Sequence, residues 1–196
     1  MSTPTQQLHF LLGGKSFPVD EIGWLLDGMS VAERLAAVRG LGFFSQRKLY
    51  DAAEGRPVSI DDMVPPGIPV HTEVIHEGKN TLPVHQLFQK RFARQPDSAT
   101  ELCGYNEQTL RTITGPGYYV ARQNPETGEL DVDYTALPNS KPAHWPEIRS
   151  QTEGLSRFIY GFMVDKMRKV SQHVTIGRAW RHGKPQPAYF VLCRQD

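Results

Sequence analysis

The sequence predicts an α+β fold: an antiparallel, strongly curved sheet or small β-barrel, with N-terminal helices and one long helix before the last hairpin. Apolar residues recur every three or four positions before residue 64, as they do on one face of a helix. From residue 70 onward they recur at every second position, as on one face of a strand. Short turn motifs join several of the later segments, and strands joined in this way pair antiparallel.

Three helices are predicted in the N-terminal region. Residues 17–29 carry apolar side chains at three- and four-residue spacing, which places them on one helix face. Ser30 and Glu33 have the spacing of a capping box, in which each side chain accepts a hydrogen bond from the other residue's backbone N–H. The helix that starts there is expected to end at Gly40, in the left-handed conformation that glycine tolerates. A third helix is predicted to begin at residue 45 and to end at Gly55.

Strands dominate the prediction after the proline-rich residues 65–69, which favour neither a helix nor a central strand. The predicted strands cover residues 70–77, 87–95, 109–114, 118–123, 129–137, 173–180 and 188–195. Turn residues at 124–128 and 181–187 predict two hairpins. The segment 154–170 is predicted to be the long helix, because its apolar residues follow helical spacing.

The length of 196 residues and the apolar content of 39% are typical of one globular domain. We therefore predict a single domain over residues 1–196. Its helical cap covers residues 1–64, and the antiparallel sheet or barrel covers residues 65–196. The sequence does not determine the oligomeric state.

Charge and hydropathy exclude several classes of function. The 22 basic and 21 acidic residues are interspersed, whereas a nucleic-acid-binding protein needs a clustered basic face. No apolar run reaches the roughly 18 residues of a membrane span, and the N-terminus lacks the pattern of a signal peptide. We therefore expect no membrane insertion and a cytoplasmic location. Cys103 and Cys193 lie far apart in the sequence and are expected to be reduced thiols.

The segment VHTEVIHE, residues 70–77, raises the question of a metal site. Alternation places His71 and Glu73 on one face of a strand, and a distant histidine such as His173 would complete a ligand set. The chain contains no HExxH motif and no cysteine pair at metal-binding spacing. We therefore predict no metal and no other cofactor. His76 lies on the more apolar face and is a candidate acid or base.

The same alternation selects polar side chains on the apolar faces of other strands. Tyr134 lies on the same strand face as Leu130 and Val132. Arg178 lies on the same strand face as Ile176 and Trp180, which are two positions away on either side. A buried charge needs an acidic partner, a ligand anion or water, so Arg178 contacts either a ligand or an acidic residue of the helical cap. The candidate catalytic residues are His76, Arg178 and Tyr134. The candidate ligand-binding residues are Arg122, Tyr118, Trp180, Tyr105 and Arg111.

Two segments near the C-terminus, GPGYYVARQNPETGELDVDYTAL and VTIGRAWRHGKPQPAYFVLCR, resemble strand pairs of lipocalin-like (calycin) β-barrel proteins from poorly characterised bacterial families. The resemblance covers residues 115–194. It implies a barrel with an internal apolar cavity and a few polar anchors, and it transfers no catalytic residue. The N-terminal helices and the lack of an early Gly-x-Trp motif depart from a minimal lipocalin.

Three functions remain open from the sequence. The first is binding of a small, mostly apolar molecule in an internal cavity, such as a fatty acid, an isoprenoid or a polyketide-like compound. The second is a cofactor-independent lyase, isomerase or cyclase that acts on such a molecule by acid–base catalysis. The third is a structural or partner-binding domain. The fold does not separate them, because barrels of this kind host all three.

Overall fold

The structure is a computed structural model that describes residues 4–14, 17–108, 116–148 and 161–195. Its helices are α1 Pro4–Gly13, α2 Val19–Asp27, α3 Val31–Arg39, α4 Phe43–Ala52 and α5 Ile60–Met63. Its strands are β1 Val74–Asn80, β2 Leu87–Gln95, β3 Ser98–Glu107, β4 Tyr118–Gln123, β5 Leu130–Asp133, β6 Met163–Lys169, β7 Val174–Arg181 and β8 Lys184–Arg194.

The eight strands form a closed antiparallel barrel in sequence order. Each strand pairs with the next one along the chain, and β8 pairs with β1 to close the ring. The predicted fold class, a small antiparallel barrel with N-terminal helices, is therefore confirmed. Both predicted hairpins are present, between β4 and β5 and between β7 and β8. His182 and Gly183 form the second turn with positive φ angles of 50° and 71°, the backbone that a two-residue hairpin requires.

The strand boundaries follow the sequence pattern in part. β2 and β4 have the predicted limits, whereas β1 begins at Val74 rather than at residue 70. β5 ends at Asp133, four residues before the predicted end. β3 was not predicted from the sequence. The predicted strand 109–114 lies outside the described residues.

The predicted long helix over residues 154–170 is wrong in its second half. Residues 163–169 form β6, which pairs with β5 on one side and with β7 on the other. The first part of the predicted helix lies outside the described residues. The apolar spacing fits a helix locally, but this segment is needed to bridge β5 and β7, and pairing with two neighbours outweighs local periodicity.

The three predicted N-terminal helices correspond to α2, α3 and α4, whereas α1 and α5 were not predicted. The capping box at the start of α3 is present: Glu33 Oε2 accepts from the Ser30 N–H at 3.0 Å, and Ser30 Oγ accepts from the Glu33 N–H at 3.4 Å. The predicted left-handed stop at Gly40 is wrong, because this residue keeps a helical φ of −72°. The third predicted helix, α4, ends at Ala52. Among the described residues, no helix is long and apolar enough to cross a membrane.

Helices α1 to α4 cover the outer face of β7 and β8. Outward-pointing Ile176 and Val191 are fully buried in one apolar cluster with Ile22, Leu26 and Leu49 of the helices. This burial is the main hydrophobic contact between the N-terminal region and the barrel. The outer face of the last strand is therefore covered by the N-terminal helices.

One end of the barrel is closed by α5. Met63 is fully buried with the inward side chains of the barrel, and its backbone O lies 2.9 Å from His76 Nε2. The Asp62 carboxylate accepts from Lys169 Nζ at 2.5 Å, and the Asp62 backbone O accepts from Arg194 Nη1 at 2.7 Å. We call this the closed end. At the opposite end, the far end, the chain connects β1 to β2, β3 to β4, β5 to β6 and β7 to β8.

Candidate functional site

Four polar side chains meet inside the barrel, and we refer to them as the polar cluster: Lys90, Asn106, Tyr134 and Asp165. Lys90 Nζ lies 2.9 Å from Asp165 Oδ2, and the two side chains are 1% and 5% exposed. Lys90 Nζ also donates to Asn106 Oδ1 at 3.2 Å and to Tyr134 Oη. Tyr134 Oη accepts from Asn106 Nδ2 at 2.8 Å and donates to Asp165 Oδ2 at 3.1 Å. The cluster is thus a buried ion pair bridged by a phenol.

Strand register brings these residues together. Lys90 on β2 is the direct partner of Asn106 on β3, so both point inward at the same height of the barrel. Asp165 on β6 pairs with Val132, two residues before Tyr134. In a ring of eight strands β6 is opposite β2, so the Lys90 side chain extends across the interior to reach its carboxylate.

Aromatic rings surround the Lys90 ammonium. The ring centroids of Phe88, Tyr119, Tyr134 and Phe190 lie 5.9, 5.0, 4.8 and 5.1 Å from Nζ. These distances allow cation–π attraction, which strengthens where water is excluded. The interior therefore offers one cationic group within apolar, polarisable walls.

Three inward-facing glycines make room for three of these rings. Each ring lies over the glycine that is its direct register partner on the neighbouring strand: Phe88 over Gly78, Tyr119 over Gly104 and Phe190 over Gly177. A Cβ atom added to these glycines would lie 2.6, 2.2 and 2.2 Å from the nearest ring atom. Because real side chains do not approach so closely, the flat position of the rings against the barrel wall depends on glycine.

Burial shifts the pKa values of Lys90 and of the neighbouring Tyr119. Loss of water lowers the pKa of the Lys90 amine, and the Asp165 carboxylate opposes that shift. Burial also raises the pKa of Tyr119 well above its usual value, which keeps this phenol neutral. Lys90 therefore loses its proton at a lower pH than a lysine on the surface does. Groups with such shifts are concentrated at functional sites.

The lowered pKa of Lys90 predicts a pH dependence of stability. Between the lowered pKa in the folded protein and the value of about 10.4 for an unfolded lysine, only the unfolded chain holds this proton. Stability rises with pH wherever the unfolded state binds more protons. As the pH is raised toward about 10.4, we expect the free energy of unfolding of the wild type to increase relative to that of the Lys90→Met/Asp165→Leu variant. Urea unfolding of both proteins at several alkaline pH values measures the difference between their free energies of unfolding. A difference that stays constant or falls as the pH rises would contradict the prediction.

Two of the predicted site residues lie inside the barrel, as expected. Tyr134 belongs to the polar cluster. His76 is 2% exposed and packs its ring against Phe92, with centroids 5.0 Å apart. Its Nε2 bonds to the Met63 backbone O, so this nitrogen ties the barrel wall to α5 at the closed end. The catalytic roles predicted for His76 and Tyr134 remain predictions.

The inward placement of Arg122 and Tyr118 is wrong. Arg122 is 45% exposed and donates to Glu101 and Asp133 on the outer surface, at 3.1 and 2.9 Å. Tyr118 packs on the outer face, 5.6 Å from the Tyr105 ring. The first four residues of β4 are apolar on both faces, so the sequence alone does not fix which set points inward; in the structure Tyr119 and Ala121 do.

Arg178 and Trp180 also lie outside the barrel, on the face that points toward the helices. Arg178 Nε donates to the Gln186 backbone O at 2.9 Å, and its guanidinium lies 5.1 Å from the Tyr189 ring centroid. The Lys166 ammonium lies over the Trp180 ring, 5.4 Å from its centroid. The apolar neighbours of Arg178 in the sequence reflect the helix-covered outer face and not the interior. The sequence does not distinguish the two, because both faces of this strand are buried.

Tyr105 lies in an aromatic cluster with Trp145 on the outer face, away from the interior. Its predicted ligand-binding role therefore requires a surface site. Arg111, also predicted to bind a ligand, lies outside the described residues.

The residues of the considered metal site have other partners. His71 Nε2 lies 3.1 Å from Ser140 Oγ, and Glu73 accepts from Arg91 at 3.1 Å and from Trp145 Nε1 at 2.5 Å. The described part of the chain contains no group of three or more histidine, cysteine or acidic side chains that could hold a metal ion.

Lys90 and Asp165 were not predicted from the sequence as site residues. Lys90 stands between Phe88 and Phe92 at two-residue spacing, the same signal that was used for Arg178. Asp165 alternates with Met163 and Met167 in β6, but this pattern is hidden when the segment is interpreted as a helix.

Comparison with known protein families, curated proteins and solved structures finds no match for this chain. Of what the resemblance to lipocalin-like proteins implies, the structure shows the closed eight-stranded antiparallel barrel. A function has to be inferred from the geometry of the polar cluster.

Proposed function

We propose that the barrel binds a small, mostly apolar molecule whose polar group contacts the polar cluster. The observation that supports this proposal is the buried Lys90–Asp165 pair, bridged by Tyr134 and enclosed by aromatic rings. Small-molecule sites combine predominantly apolar walls with a few convergent polar groups. The interior of this barrel has both.

Stability alone does not account for the pair. Removing two charges from water costs several kcal/mol per ion, and apolar replacements of a buried ion pair are often equally stable or more so. A barrel that needed no polar group at its centre would be stable with apolar side chains at these positions. The pair is therefore better explained by a ligand than by folding.

The hydrogen bonds within the polar cluster use only some of its polar atoms. Both bonds to the Asp165 carboxylate end on Oδ2, and the Asn106 amide uses one N–H within the cluster. Asp165 Oδ1 and the second Asn106 N–H take no part in those bonds. A hydroxyl or carbonyl group of a ligand fits these two atoms.

The far end is the proposed route for the ligand. Asn106 lies next to the last residue of β3 and Asp165 is the third residue of β6, and both of these strand ends belong to the far end. Lys90 lies deeper in the barrel, since its direct partner on β1 is His76, which bonds to α5. At the other end α5 covers the interior. Exposed apolar side chains are also found at the far end: Leu82, Val84, Leu87 and Phe162.

Fluorescence titration with two apolar anionic probes, dansyl-undecanoic acid and 1-anilinonaphthalene-8-sulfonate, tests the proposal. We expect saturable binding at one site, weakened about 2- to 13-fold in Tyr134→Phe, because the phenol holds Asn106 and Asp165 in position for the ligand and one hydrogen bond is worth about 0.5–1.5 kcal/mol. The matched control is Tyr105→Phe, which removes a phenol from the outer face and should leave binding unchanged. Absence of binding, or equal affinity in Tyr134→Phe and the wild type, would refute the proposal.

A second candidate function is a cofactor-independent lyase, isomerase or cyclase. The chain of hydrogen bonds from Lys90 through Tyr134 to Asp165 favours it, because it joins an amine, a phenol and a carboxylate that can exchange a proton. In this reading Lys90 and Tyr134 supply the acid–base chemistry that was expected from His76. Mass spectrometry of a bound ligand after incubation separates the two functions, since an enzyme changes the ligand and a binding protein does not.

A further inference from the structure

We infer that Lys90 forms an imine with an aldehyde ligand that has a flat, apolar body. This inference rests on the proposed small-molecule binding and names the chemical class of the ligand. Three features of the polar cluster carry it: a primary amine inside the barrel, a proton relay in contact with that amine, and surroundings suited to a protonated imine.

The surroundings of the Lys90 amine favour its reaction with a carbonyl group. Its side chain crosses an interior lined by aromatic rings, where a carbonyl compound with an apolar body gains burial energy. Desolvation lowers the pKa of this amine, so a larger fraction is unprotonated and nucleophilic at neutral pH than on the surface. An arginine or an apolar residue would satisfy the same packing without this reactivity.

The neighbouring groups supply the proton transfers that imine formation requires. Asp165 takes the proton that leaves the Lys90 ammonium, and the nitrogen lone pair then forms a bond to the carbonyl carbon. Tyr134 donates its proton to the carbonyl oxygen and recovers one from Asp165 through their 3.1 Å hydrogen bond. The adduct nitrogen then gives up one proton, which Asp165 and Tyr134 pass to the hydroxyl of the adduct, and water leaves as the C–O bond breaks and the C=N bond forms. The balance is aldehyde plus ammonium giving protonated imine plus water, with no oxidant or reductant.

The product is stabilised by the groups that stabilise the free lysine. A protonated imine keeps the positive charge at the same nitrogen, so it retains the ion pair with Asp165 and the attraction of the four rings. A conjugated or aromatic aldehyde spreads this charge over its own flat body, which can stack on those rings.

The test uses the wild-type protein with two aldehydes, cinnamaldehyde and all-trans-retinal, in the presence of sodium cyanoborohydride. Reduction fixes an imine as a stable secondary amine. We expect intact-mass spectrometry to show one adduct per chain and peptide mapping to place it on Lys90. Because the position is read from the wild type, the result does not depend on whether a variant folds.

Variants and alcohol analogues complete the test. The adduct should be lost in Lys90→Arg and retained in Lys166→Arg, which changes a lysine on the outer side of β6. Cinnamyl alcohol and retinol have the same apolar bodies without the carbonyl group, and isothermal titration calorimetry measures their binding. Binding of the alcohols with no adduct on Lys90 would overturn the imine and leave the proposed function standing. If the alcohols do not bind and the aldehydes label only exposed lysines, both proposals fail.

Discussion

Replacing Lys90 with methionine is expected to lower the free energy of unfolding by about 3–5 kcal/mol, because the Asp165 carboxylate then stays buried without its cation. The double variant Lys90→Met/Asp165→Leu removes both charges and should recover most of this loss. Urea unfolding of the wild type and the three variants (each single change and the pair) at pH 7 gives the four free energies of a double-mutant cycle.

A surface ion pair provides the matched comparison. Arg122→Ala breaks the contacts to Glu101 and Asp133 where water screens them, and we expect a change of about 1 kcal/mol or less. If Lys90→Met costs no more than Arg122→Ala, the buried pair is not formed as described. A double variant as unstable as Lys90→Met would show that the pair contributes net stability, which would remove the main argument for a ligand.

The outcome bears directly on function. If the double variant is as stable as the wild type, folding does not require the ion pair. The charges at the centre of the barrel would then be maintained for what they bind or react with. Measuring probe binding by the same double variant connects the two questions, since the proposed site should lose affinity while the fold is retained.

The sequence predicts the architecture because its signals are short-range. Alternation over six to nine residues, together with turn residues such as Asn124 and Gly128, is sufficient to identify β2, β4 and the hairpin that follows β4. The capping box of Ser30 and Glu33 is equally local. Closure between β8 and β1, by contrast, joins residues more than a hundred positions apart, and no short segment contains that information.

The candidate site is harder to predict for a related reason. Choosing which face of a strand points inward requires that one face be polar, and in β4 and β7 both faces are apolar because the outer face is covered. Arg178 was therefore assigned to the interior although it lies outside. Lys90 has a clear local signal between two phenylalanines, whereas Asp165 becomes visible only once residues 163–169 are known to form a strand.

Substituting Gly177 with alanine is expected to cost about 1–3 kcal/mol of stability, because the new Cβ atom would lie 2.2 Å from the Phe190 ring and force it off the barrel wall. Phe190→Ala alone should cost about 3–5 kcal/mol through the cavity that it leaves. In the double variant the clash is absent, since the ring that it involves is gone. We therefore expect the double variant to be more stable than the sum of the single effects predicts, by about 0.5–3 kcal/mol. Thermal or urea unfolding measures all three variants.

Gly13→Ala is the control for the loss of a glycine as such, because a Cβ atom there meets nothing within 4 Å. It should leave stability within about 0.5 kcal/mol of the wild type or raise it slightly. Additive effects of Gly177→Ala and Phe190→Ala would contradict the ring-over-glycine contact. The same cycle also tests the site, because Phe190 is one of the four rings around Lys90. If the wall positions the ligand, Gly177→Ala weakens probe binding even under conditions where the variant is fully folded.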